Sequence, residues 1–139
     1  MQYQEFIKRV RERTYIDSDE EALTLIRATL ETLAEHQAGS APAQLAGQLP
    51  EQIGKFITNQ NSGAESEGED FGVQEFVRRV GERAEIGEAN TAALFASSVL
   101  AVVQDAVSRE EFDKIRSTFP AEYNALFEQE NSEALSTRY

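Results

Sequence analysis

Hydrophobic positions along the chain recur with helical spacing and are interrupted by short polar breaks. Tyr3, Phe6, Ile7, Val10 and Thr14 fall at three- and four-residue intervals, with Glu5, Lys8, Arg9, Arg11 and Glu12 on the other faces. That spacing predicts a surface helix of about three turns. Asp17 to Glu21 follows, where Ser18 and Glu21 fit a capping box and the acids suit the positive end of a helix. A second helix running to about Gln37 carries a wide apolar stripe, Ala22, Leu23, Leu25, Ile26, Thr29, Leu30 and Leu33. Gly39 supplies a left-handed stop. Ser40 is placed to cap a short helix with Pro42 in its first turn and Leu45 and Leu49 inward. Pro50 opens a fourth helix through Ile53, Phe56 and Ile57. No stretch alternates with period two and no Asn-Gly or Asp-Gly hairpin occurs, so the expected class is all-α.

The pattern is written twice. Gln4-Glu5-Phe6-Ile7-Lys8-Arg9-Val10-Arg11-Glu12-Arg13 returns as Gln74-Glu75-Phe76-Val77-Arg78-Arg79-Val80-Gly81-Glu82-Arg83, carrying Phe6 onto Phe76 and Val10 onto Val80 without a gap. Pro120 stands in the same relation to Pro50, and Tyr123, Leu126 and Phe127 match Ile53, Phe56 and Ile57 in type. Ser108 with Glu111 makes a second capping box. Two tandem repeats of about four helices each, packed into one unit, follow from this periodicity. Separate halves of this size would each bury too little surface to be robust. The expected organisation is a first repeat over 1–59, an acidic Gly/Ser-rich linker over 60–72, a second repeat over 73–128 and a polar tail over 129–139. The linker has Gly63, Gly68 and Gly72 among Glu65, Glu67, Glu69 and Asp70. Such a composition predicts a flexible connection, reaching roughly 20 Å as a coil. In the second repeat the long helix is apolar almost all round, from Ala92 to Val103. This predicts a place at the centre of the molecule or at a subunit contact.

Charge narrows the list of partners. The 139 residues carry a formal net charge of −12, shared by both halves: residues 1–70 hold 6 basic and 13 acidic side chains, residues 71–139 hold 7 and 12. Nucleic acids and anionic membrane surfaces are disfavoured, because both need clustered Lys and Arg. The most apolar window, Thr91 to Val107, is broken by Ser97, Ser98, Gln104 and Asp105 and falls short of the ~20 apolar residues of a membrane span. The chain has no cysteine, which removes disulfides, thiolate nucleophiles and sulfur-ligated zinc. Its first residues form a charged amphipathic stretch without an apolar signal region. A cytoplasmic protein is expected.

The Phe-x-x-x-Val start, the apolar second helix and Leu45-Ala46-Gly47-Gln48-Leu49-Pro50 together resemble the bacterial domain of unknown function (DUF) 2267 family, over about residues 3–128. The second copy carries Thr118-Phe119-Pro120 in place of Gln48-Leu49-Pro50, and Tyr15 and Glu85 stand where a small residue or Gly is expected. The resemblance implies an all-helical protein with two repeats. It implies no catalytic residue.

Four arginines are the candidate site: Arg9 and Arg13 in the first copy, Arg79 and Arg83 in the second. Each pair is spaced i, i+4 on one helix face and recurs with its acids, Glu5 and Glu12 or Glu75 and Glu82. As structural groups, Glu5–Arg9 and Glu75–Arg79 are surface pairs while Arg13 and Arg83 bridge to a neighbouring helix. As a functional group, the four would form an anion or partner contact in a cleft between the repeats. The acidic linker lacks the oxygen order of a calcium loop. His36 is the lone histidine, placed where a cation would meet a helix C-terminus favourably. It has no oriented partner for general-base chemistry, and neither a Glu-x-x-His di-metal motif nor a phosphate loop occurs. No cofactor or metal is expected. The composite expectation is a non-enzymatic interaction or scaffold protein, with a homo-oligomer or protein partner. The alternative is a small-molecule or anion sensor using the inter-repeat cleft.

Overall fold

The computed structural model describes residues 1–59 and 67–128, and all of their regular structure is helical. The expected flexible character of 60–66 and of the tail 129–139 lies outside the described residues. The helices are α1 Tyr3–Thr14, α2 Asp19–His36, α3 Ala41–Gln48, α4 Glu51–Thr58, α5 Val73–Ala84, α6 Ala89–Ala106 and α7 Arg109–Ser117. A 3-10 turn Ala121–Tyr123 then runs on into a helical turn over 124–128. The limits of α1 and α2 recur at the equivalent positions of the second copy, in α5 and α6. In the last quarter the expected helix is split between the 3-10 turn and its extension.

Local signals set most of these ends. Ser18 Oγ accepts from Glu21 N–H at 3.1 Å, and Ser108 Oγ accepts from Glu111 N–H at 3.1 Å, the two expected caps. Glu88 caps α6 in the place of Ser18, accepting from Thr91 N–H at 2.6 Å. Ser40 does not cap α3; its hydroxyl is taken by Gln44 Nε2 instead. Both helix-one repeats end on a left-handed residue, Tyr15 at φ 60° and Glu85 at φ 58°. A side chain in that region costs about 1 kcal/mol, and Tyr15 recovers little by packing, since it is 87% exposed.

The core is continuous across the halves. Phe6, Val10, Leu25, Ile26, Leu30, Leu33 and Ile57 join Phe76, Val80, Val99, Val102, Ile115 and Tyr123 in a single buried cluster. The first helix of each half packs on the long helix of the other, α1 on α6 and α5 on α2, and α2 meets α6. Phe6 and Phe76 are both fully buried, but Phe76 alone of the two sits among aromatic rings, those of Phe71, Phe119 and Tyr123. The composition of α6 is explained here, because Ala92, Ala96, Val99, Leu100, Val102 and Val103 are all buried inside the chain.

The end of the acidic segment departs from expectation. Residues 69–72 are pinned to the body. Glu69 N–H donates to Glu35 O at 2.8 Å and Tyr123 O–H donates to Phe71 O at 2.6 Å. Phe71 is buried, with the Arg79 guanidinium 4.0 Å from its ring centre. One buried aromatic ring and three specific contacts offset the ordering entropy that composition alone does not meet.

Candidate functional site

The structure splits the four arginines into two clusters. Arg9 Nη2 lies 2.6 Å from Glu5, and Arg9 and Arg13 both reach Asp105 on α6, at 3.5 and 3.7 Å. These side chains share a shallow groove with Lys8 and Glu12. On the opposite seam Arg83 forks onto Glu35 of α2 at 2.9 and 2.5 Å and donates to Thr32 Oγ1 at 2.8 Å. Arg79 reaches Glu35 at 3.1 Å, Glu75 at 2.8 Å, and Glu69. Glu35 and Asp105 hold equivalent positions in the two copies, as Phe6 and Phe76 do, so the bridge between halves was duplicated along with the arginines. The seams differ in depth: the Arg79 and Arg83 side chains are 17% and 29% exposed, those of Arg9 and Asp105 42% and 39%.

These pairings fix the electrostatics. Hydrogen bonds from Arg78 and Arg79 hold the Glu75 carboxyl down to about 2, and that from Arg79 holds Glu69 below the ordinary carboxylate range. Arg78 and Arg79 are raised by the same contacts. Each groove presents as many carboxylates as cations. An arginine that already donates to two or three carboxylates is a seam bolt, and an incoming anion would have to displace them.

His36 proves to be an aromatic core member. Its ring stacks on Phe119 with centroids 4.0 Å apart and meets the edges of Phe71 and Tyr123 at 5.3 and 5.6 Å. Both ring nitrogens are buried without a hydrogen-bond partner among the described residues. Burial lowers its pKa below 6.5, with nearby Asp70 pulling weakly the other way. The cation expected at this helix end is thus disfavoured by desolvation. The consequence for stability has a definite sign. The unfolded chain takes up the His36 proton as pH falls through 6.5, while the folded chain resists it, so stability drops with falling pH in that window. The carboxylates with depressed pKa add their losses lower, below about pH 4.5. We expect the melting temperature to fall between about pH 7 and pH 5.5, and His36→Phe to flatten that slope. An unchanged slope in the variant would remove His36 as its source.

A third feature was not legible as a site. A groove of about 620 Å³ opens between α5, α6 and the 121–128 segment. Its lining includes Val73, Val77, Ile86, Ala92, Ala93 and Leu126, with Arg78, Glu82 and Glu122 at polar positions. At the equivalent positions the first half holds Tyr3, Ile7 and Leu23 in place of Val73, Val77 and Ala93. It holds Arg11, Lys55 and Phe56 in place of Gly81, Ala125 and Leu126. The second half is the smaller at each of these. Arg11 folds across its own loop, donating to Ile16 O at 3.1 Å, to Asp17 O, and to Asp19 at 2.8 Å. Gly81 has no such side chain and could not carry one without movement, since a Cβ there would lie 2.9 Å from Ile86 O. Ile86 N–H bonds Gly81 O at 2.8 Å instead, tightening the turn.

Among the described residues no group of three or more His, Asp or Glu side chains is placed to hold a metal ion. No single described helix is long and apolar enough to cross a membrane. No curated protein matches the chain. A family model, described as an uncharacterised conserved protein (DUF2267), matches residues 3–126, nearly the whole length. Its span takes in both repeats, the arginine seams and the groove, and the chain belongs to the DUF2267 family.

Proposed function

We propose that the chain is a non-enzymatic recognition domain that takes a small ligand in the groove of its second half. The carrying observation is the contrast between copies: one face carries the larger Tyr3, Ile7, Arg11, Leu23 and Phe56, and its counterpart, which lines the groove, is cut back to Val73, Val77, Gly81, Ala93 and Leu126. A volume of about 620 Å³ lies within the range of small-molecule sites, which are typically apolar with a few convergent polar groups. The Arg79 and Arg83 seam serves this reading as a brace that holds α5 against α2, and the Arg9 and Arg13 seam ties α1 to α6.

A scaffold role through self-association on α6 is the weaker reading, because the helix's apolar face is turned into the core. The large hydrophobic side chain that stands exposed among the described residues is Tyr15. A thermal-shift panel of apolar amines, alcohols, carboxylates, phosphates and nucleotides tests the proposal. A groove ligand at about 100 times its Kd adds about 2.7 kcal/mol. Silence from every apolar compound would count against the groove, and a response confined to phosphates and nucleotides would return attention to the arginines.

A further inference from the structure

We infer that the ligand of this groove is an amphiphilic organic cation, an aliphatic or aryl body ending in a guanidinium or ammonium group. This rests on the reading of the groove as a binding site and adds the chemistry of what enters it.

The first half supplies the template. There the loop carbonyls of Ile16 and Asp17 are both capped by the Arg11 guanidinium. Their counterparts, Ile86 O and Gly87 O, belong to residues that line the groove and accept no hydrogen bond from the described residues. The groove therefore keeps acceptors that the first half satisfies with a cation of its own. Asp19, the carboxylate partner of Arg11, is also gone, replaced by Ala89.

The acids that remain are Glu82 and Glu122, against a single cation in the lining, Arg78. Arg78 is already committed, to Glu75 at 2.7 Å and to Glu82 at 2.9 Å. An anionic head would face two carboxylates, two carbonyl oxygens and an arginine that already makes three hydrogen bonds to Glu75 and Glu82. Glu82 takes one bond from Arg78 and Glu122 one from Val73 N–H at 3.0 Å, which leaves both carboxylates with acceptor capacity for a cationic head. The excess of acids over cations in the lining and a net charge of −12 draw a cation there. The apolar body lies where side chains were lost, over Val77, Ala93 and Leu126, the positions of Ile7, Leu23 and Phe56 in the other copy.

Three probes of nearly one shape separate the outcomes: phenylbutylammonium, phenylbutanol and phenylvalerate, titrated into the 15N-labelled protein and followed by amide shifts. The ammonium compound should shift the amides of Val77, Gly81, Ile86 and Ala93, binding roughly tenfold or more tighter than the carboxylate. The double variant Ala93→Leu with Ala125→Lys restores first-half residues at a half-buried and an exposed position. It should keep its melting transition and lose those shifts. Should the alcohol or the carboxylate bind as well as the ammonium at these amides, the cation assignment falls and the groove survives. Should none of the three perturb them, or should the double variant bind unchanged, the groove itself falls.

Discussion

Glu35→Gln should lower stability by about 2 kcal/mol, whereas Asp105→Asn, the same change at the matching position of the other half, should cost less than about 0.5 kcal/mol. Glu35 takes two hydrogen bonds from Arg83 and one from Arg79. In that seam the side chains of Arg79, Arg83 and Glu35 are 17%, 29% and 25% exposed. Removing the Glu35 charge leaves both guanidinium groups partly buried, with Thr32, Glu69, Glu75 and the more distant Glu31 as partners. A fully buried pair broken on one side loses about 3–5 kcal/mol, and the partial exposure here reduces that. Asp105 faces Arg9 and Arg13 at 3.5 and 3.7 Å with side chains 33–42% exposed, longer and more solvated contacts of the kind worth little. Urea denaturation of the two variants at low and high salt is the check. Salt should erase the Asp105→Asn effect and spare most of the Glu35→Gln effect. Equal losses in both would mean that the seams are mechanically alike and that burial does not set their strength.

How far the sequence reveals this molecule depends on whether a feature is local. The helices, the caps at Ser18 and Ser108 and the burial of α6 follow from spacing, because amphipathic periodicity and capping act within one or two turns, while its place inside the chain and not at a subunit contact comes from the fold. The arginine bridges were half legible. Repetition of Arg13 as Arg83 pointed to a neighbouring helix, and their partners Asp105 and Glu35 were themselves a duplicated pair, though nothing local assigns them. His36 was misplaced because helix-end electrostatics is a local rule, while the rings of Phe71, Phe119 and Tyr123 come from three later segments. The end of the acidic segment escapes the sequence for the opposite reason: Phe71 stands among acids and glycines, and its pocket exists only once α5 and the 121–128 segment come together. The groove is a difference between copies. The substitutions Arg11 to Gly81 and Leu23 to Ala93 are plain in the sequence, but only the fold makes them neighbours.

Two glycines, Gly47 on α3 and Gly54 on α4, should respond to alanine with opposite signs. Gly54 is buried on α4, and a Cβ there would stand 2.7 Å from Ala46 O and 3.4 Å from that residue's Cα and carbonyl carbon. The contact is backbone against helix, so no flexible side chain can yield. Alanine is the better helix former by about 1 kcal/mol, yet forcing α3 and α4 apart should cost about 2–3 kcal/mol, giving a net loss of about 1–2 kcal/mol. Gly47 sits exposed on α3 with nothing within 4 Å of its missing Cβ, so there the propensity gain should appear undiminished, about 0.5–1 kcal/mol of added stability. The loss at Gly54 should reach the other half as well, because α4 lies on α2 and Gln48 at the end of α3 accepts from Ser108 N–H at 2.7 Å. Hydrogen exchange should therefore quicken at the start of α7 in Gly54→Ala and stay unchanged in Gly47→Ala. If both variants melt higher than the parent, α3 and α4 do not meet through backbone, and the short-helix layer of the fold is packed differently from the one described.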